Sequence, residues 1–199
     1  MVNNHQRHWA AIFQELDVEP TEVEAVIFPE LLRQEIVRDS FEQLGLWMLY
    51  VNVGKGAVDF SVGVFLRRSS FVEQLETAVA NQPDLPSDCL KIIEFPAAKN
   101  ERDKRLTRYK RLLDQDWQIH YLSCFWLITT RRLGLDSLEP GARVSWLAAS
   151  YNRGFWLPKD EIEKYRTACL FPDGKLALGR RQYSYADIAV AFYVAKNAL

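Results

Sequence analysis

Apolar positions recur every three or four residues along most of this chain, which is the spacing of helices with one buried face. In "NHQRHWAAIFQEL", Trp9, Ile12, Phe13 and Leu16 share a face. "TEVEAVIFPELL" follows Pro20; Thr21 reads as its N-cap and Glu24 as the capping-box partner. Pro29 is expected to stop or kink that helix. A longer helix carries Val37, Phe41, Leu44, Met48 and Val51 and ends at Gly54 and Gly56. In "GKGAVDFSVGVFLRRSSF" the apolar positions alternate instead, which suits a short hairpin. "SSFVEQLETAVANQ" reads as a capped helix and "QPDLPSDC" as a connector. The longest helical pattern runs from about Asn100 to Arg132 on Leu106, Tyr109, Leu113, Trp117, Tyr121, Phe125 and Ile128, with Gly134 as its stop. Further helices are expected over 144–152, 159–169 and 184–197. The class is mainly α with a minor β-hairpin.

The composition fits this picture. The chain has 199 residues, 48% hydrophobic and 26% charged, which is enough for a packed core in one domain. The formal net charge of −1 gives no global field that would draw the chain to nucleic acid or a membrane surface. The basic run "KNERDKRLTRYKR" holds seven Lys/Arg against two acids, but no nucleic-acid motif accompanies it. Leu106 and Tyr109 mark it as a helix with a solvated basic face. No apolar run approaches the roughly 20 residues of a membrane span, and no secretory signal is visible. The expected compartment is the cytoplasm, or the periplasm or exterior if a leader has been removed. Cys89, Cys124 and Cys169 show no metal-type spacing. Cys124 reads as a small buried hydrophobe, and no disulfide framework is expected. His120, beside Trp117 and Tyr121, reads as a core or boundary histidine. No metal or organic cofactor is implied.

Three short patterns carry candidate chemistry: "VIFPELL" with Glu30, "DFSVGVF" with Ser61 and Gly63, and "AASYNRGF" with Tyr151, Asn152 and Gly154. A carboxylate in an apolar setting keeps its proton to higher pH and can serve as a general acid. A Ser-x-Gly turn brings backbone close to a ligand. A Tyr-Asn pair at a helix end offers a hydroxyl and an amide. Their order resembles the lysozyme-like superfamily, nearest to goose-type lysozymes and soluble lytic transglycosylases, over about residues 22–156, with 157–199 as a helical extension of a single domain.

The resemblance implies that Glu30 is the acid cleaving peptidoglycan or a related amino-sugar polymer. It implies that Ser61, Gly63, Val64 and Phe65 shape a cleft and that Tyr151, Asn152 and Gly154 line its floor. A transglycosylase needs only the one acid, because the sugar's own hydroxyl attacks. A hydrolase needs a second carboxylate to activate water, and Asp59 is the best placed. The pattern departs from the family at Pro29, Leu31 and Leu66, the last replacing a Gln. These departures leave open a catalytically inactive module that binds glycan or another protein, or a helical scaffold unrelated to lysozyme. An active enzyme requires Glu30 to face an open cleft that contains Tyr151.

Overall fold

The computed structural model describes residue 9 and residues 11–36, 42–54, 61–62, 67–171 and 182–198; of 34–36, 42–47, 61–62 and 67 it describes the backbone alone. The protein is mainly helical, with two short antiparallel ladders. The helices are α1 Pro20–Ile36, α2 Glu42–Val53, α3 Ser69–Ala80, α4 Ser87–Leu90, α5 Glu101–Leu113, α6 Gln115–Leu133, α7 Pro140–Arg153, α8 Lys159–Arg166 and α9 Tyr185–Asn197. Strands β1 Ser61–Val62 and β2 Arg67–Arg68 form the expected hairpin, with Ser61 opposite Arg68. Strands β3 Cys169–Phe171 and β4 Tyr183–Ser184 form a second ladder. The helix expected over 159–169 therefore ends early, at Arg166, and Cys169 lies in a strand.

The chain divides into two compact units, Met1–Leu16 with Val37–Cys124 and Asp17–Ile36 with Phe125–Leu199. In the first unit, α2 packs on α5, and α3 on α4 and the 3-10 turn Lys91–Ile93. Tyr50, Val72, Leu75, Cys89, Ile92, Leu112 and Tyr121 are fully buried there. In the second unit, α9 packs on α1 and α7, over Val26, Val144, Leu147, Ala148 and Ala189. The small residues Ala148, Ala149 and Ser150 are all buried, so the α7 face that passes them is a packing face.

Several helix ends follow their local chemistry. Ser184 caps α9, accepting from the Asp187 amide at 3.1 Å. Gly134 closes α6 at φ 67°. Helix α1 opens one residue earlier than expected, at Pro20, whose missing N–H is harmless in a first turn. Glu19 then accepts from the Thr21 amide at 3.4 Å, and Thr21 is not the cap. Pro29 does not stop α1, which runs on to Ile36. Pro29 is itself buried, so packing outweighs the one helical hydrogen bond it removes.

The long pattern from Asn100 breaks into two helices at Asp114. Its backbone is extended there, and its carboxylate accepts from the amides of Asp116 and Trp117 at 2.9 and 3.2 Å. An Asp that caps the next helix is a stronger local signal than an unbroken apolar stripe. The stripe slips at the break, and Leu113 is 56% exposed.

Cys89 and Cys124 are joined in a disulfide, with Cα atoms 5.4 Å apart, although the sequence predicts no disulfide framework and Cys124 reads there only as a small buried hydrophobe. Cys124 is indeed fully buried, but so is Cys89, and the disulfide ties α4 to the middle of α6. Cys169 remains a free, exposed thiol.

Candidate functional site

The residues singled out by the sequence fall in three places. Asp59, Gly63, Val64 and Phe65 lie outside the described residues. Ser61 lies in β1 of the first unit. Glu30, Tyr151, Asn152 and Gly154 all belong to the second unit, where α1 and α7 pack together. Glu30 is 4% exposed, and its carboxylate is ion-paired with Arg33 one turn on. Arg33 in turn lies over the Phe171 ring, 5.9 Å from its centroid. Tyr151 is 8% exposed and packs edge-on against Phe125 at 5.4 Å. Asn152 is exposed on the last turn of α7.

Gly154 is the C-cap of α7, at φ 127°. A Cβ there would lie 2.8 Å from the Trp156 ring, so both the backbone and the space require glycine. Gly154→Ala is expected to cost about 1–3 kcal/mol, read by urea denaturation; an unchanged midpoint would show that the turn relaxes freely.

A second buried carboxylate of this unit escaped the sequence reading. Glu22 is fully buried and accepts from Arg143 Nε at 2.8 and 2.9 Å and from Trp126 Nε1 at 2.9 Å. It is a fully engaged structural anion that ties α1 to α6 and α7.

Two open concave surfaces lie in the first unit. The larger is a cleft of about 680 Å³ between α3 and α5, with Gly54, Ile93 and Phe95 on its rim. Its walls present Glu73, Glu76, Glu101, Lys104, Arg105 and Arg108. The basic run is thus not a uniformly solvated face: Arg108 is 6% exposed and Arg111 7%.

Arg108 organises the larger cleft. Its Nε donates to both Glu76 oxygens at 2.9 and 3.0 Å; its Nη1 donates to the Tyr50 hydroxyl at 2.6 Å and to Glu73 at 3.0 Å. Tyr50 donates to Glu73 at 2.8 Å, and Tyr121 donates to Glu76 at 2.9 Å. Burial pushes both phenols well above their ordinary range. Burial alone would lower the Arg108 pKa, but its partners Glu76 and Tyr50 outweigh that and raise it. The remaining charges are matched in other ways. Lys104 pairs with Glu101 at 2.8 Å. Arg105 Nε donates to the Val51 carbonyl at 2.9 Å, placing a cation at the C-terminal end of α2.

A smaller pocket of about 360 Å³ opens on the other side of α5, between Phe95 and Trp117. Phe95 lines both hollows. The Arg111 guanidinium lies 4.6 Å from the Phe95 centroid and 3.9 Å from that of Trp117, and it donates to the carbonyls of Ile92, at 2.9 Å, and Glu94. Spacing alone shows that Arg105, Arg108 and Arg111 recur every third residue, which is a helix-face signal. It does not show that the face is turned inward.

Among the described residues no group of His, Cys, Asp and Glu is arranged to hold a metal ion, and no helix is long and apolar enough to cross a membrane. No family model, curated protein or solved structure matches this chain.

Proposed function

We propose that this protein is a saccharide-binding module whose ligand lies over Phe95, in the two hollows of the first unit. The observation that carries the reading is the position of Phe95, a half-buried residue that lines both a polar hollow and a more apolar one. A sugar offers C–H faces that rest on an aromatic ring and hydroxyls that bond to fixed polar groups. The larger cleft supplies such groups in cancelling pairs, Arg108 with Glu73 and Glu76 and Lys104 with Glu101. Planar, hydrogen-bonding side chains with little net field suit a neutral polyhydroxylated chain. Two hollows that share one residue suit more than one sugar unit.

Cleavage of the glycan at Glu30 is the reading drawn from the lysozyme-like pattern. A general acid must reach the oxygen it protonates, whereas Glu30 is 4% exposed and already ion-paired. The pairing of Glu30 with Arg33 therefore favours the binding reading over the catalytic one.

Both readings are tested together. Titration of the protein with β-1,4-linked amino-sugar oligomers is expected to show binding that Phe95→Ala weakens about tenfold, the value of one lost ring contact. Asn152→Ala, on the exposed end of α7, should leave binding unchanged. Loss of binding in Asn152→Ala instead would place the ligand at the Tyr151–Asn152 floor. Digestion of peptidoglycan by the wild type and by Glu30→Gln should yield the same product masses. Fragments formed by the wild type alone would make Glu30 the acid.

A further inference from the structure

We infer that the smaller pocket, between Phe95 and Trp117, selects an acidic sugar: a pyranose bearing a carboxylate, held by Lys110 and Arg111. The inference rests on the saccharide reading and names the chemistry of one of its two hollows.

The two hollows differ in how their charges are balanced. In the larger cleft every buried cation has a carboxylate partner. In the smaller pocket Arg111 is 7% exposed, yet among the described residues no carboxylate pairs with it. It donates to two backbone carbonyls and interacts with the Tyr121 hydroxyl, and its guanidinium lies over two aromatic rings. Carbonyl dipoles and ring faces position a guanidinium without neutralising it. A buried cation in that state is stabilised by any anion that reaches it.

Lys110, on the adjoining turn, is exposed and likewise has no carboxylate partner among the described residues. The acid in the pocket wall, Asp114, is already committed to capping α6 through the Asp116 and Trp117 amides. Thr107 donates its hydroxyl to the Asp103 carbonyl at 3.0 Å and adds no charge. The pocket therefore offers two positive charges, against the one carboxylate of Asp114, beside two aromatic rings. A ring with an apolar face and a carboxylate edge satisfies both features. A bare inorganic anion would leave the rings unused, and a neutral sugar would leave the cations unused.

The test uses the full chain and a matched pair of probes, a β-1,4-linked glucose hexasaccharide and its C6-carboxylated counterpart, titrated by calorimetry at two salt concentrations. The acidic probe is expected to bind about tenfold more tightly than the neutral one, one charge-assisted contact being worth that much. Added salt should erode the preference. Lys110→Gln should reduce it to within about twofold, and Lys110→Arg should keep it. Lys110 is on the surface, so these variants leave the fold unchanged.

Equal affinity for the two probes would overturn the acidic-sugar inference and leave the saccharide reading standing. A preference that survives Lys110→Gln would also overturn it. Binding of neither probe would overturn this inference, while the saccharide reading is decided by the amino-sugar titration.

Discussion

Arg108→Met is expected to lower the unfolding free energy by about 3–5 kcal/mol, the usual cost of removing one partner from a buried ion pair. The reason is what stays behind. Glu76 is 7% exposed and, among the described residues, would keep the Tyr121 hydroxyl in place of a guanidinium, and Glu73 would lose its ion pair with Arg108. An uncompensated carboxylate in that position is worse than no charge at all. The double variant Arg108→Met, Glu76→Gln should therefore recover part of the loss, and equilibrium denaturation of the three proteins measures the coupling. A loss in Arg108→Met below about 1 kcal/mol would mean that the network behaves like a solvated surface pair.

The same network fixes the sign of an alkaline transition. Tyr50 and Tyr121 have their pKa values raised in the folded protein, so folding favours their neutral forms. Their contribution is complete below the unfolded tyrosine value of about 10 and falls away as pH rises above it. Tyr121→Phe should flatten the decline of stability above about pH 10.

The cluster matters for function because it forms the wall of the larger cleft. A ligand bound there meets groups fixed in place before it arrives, so little ordering cost falls on binding. This arrangement was only half legible in the sequence. The helical period of α5 was clear, and with it the side-by-side placement of Arg105, Arg108 and Arg111. Their burial was not, because a run of seven cations looks solvated unless its partners are known. Those partners, Glu73, Glu76, Tyr50 and Tyr121, come from α2, α3 and α6. Only the tertiary fold brings them together.

Similar limits explain the other differences. Where a feature depends on neighbouring residues it could be read directly: the cap at Ser184, the stop at Gly134, the hairpin ending at Arg67–Arg68. The break at Asp114 was local too, but the apolar stripe across it is continuous and hid it. Glu30 and Tyr151, which the pattern singles out as an acid and a cleft floor, are both buried on packed helices. Burial gives both a structural role that a motif cannot separate from a chemical one. Arg33, the residue that distinguishes the two at Glu30, lies three positions away in plain sight. Its weight became visible only once Glu30 was seen to be buried.

Loss of the disulfide should have an effect of comparable size through the unfolded chain. The bond between Cys89 and Cys124 closes a loop spanning 35 positions. On loop-closure entropy, a cross-link of that length is worth about 4 kcal/mol. For a chain of this size that is about 8–16 °C in melting temperature. Both sulfurs are buried, so the double variant Cys89→Ala, Cys124→Ala removes the link without leaving a polar group unsatisfied. A thermal scan of the oxidised wild type, the wild type reduced under denaturing conditions and refolded with reductant present, and the double variant separates the contributions. Reduced wild type and double variant should melt close together, both well below the oxidised protein. If the double variant matches the oxidised wild type, the bond adds no stability and the close approach of Cys89 to Cys124 is packing alone. If it melts well below the reduced protein, the thiols themselves fill space that alanine leaves empty, and the cavity rather than the cross-link sets the loss. The larger cleft adds a functional readout, because α3 and α5, which wall it, lie on either side of the Cys89 anchor in the chain. Saccharide affinity should fall with reduction if the link holds those helices in their binding positions, and should stay constant if α2 and the Arg108 network suffice to do so.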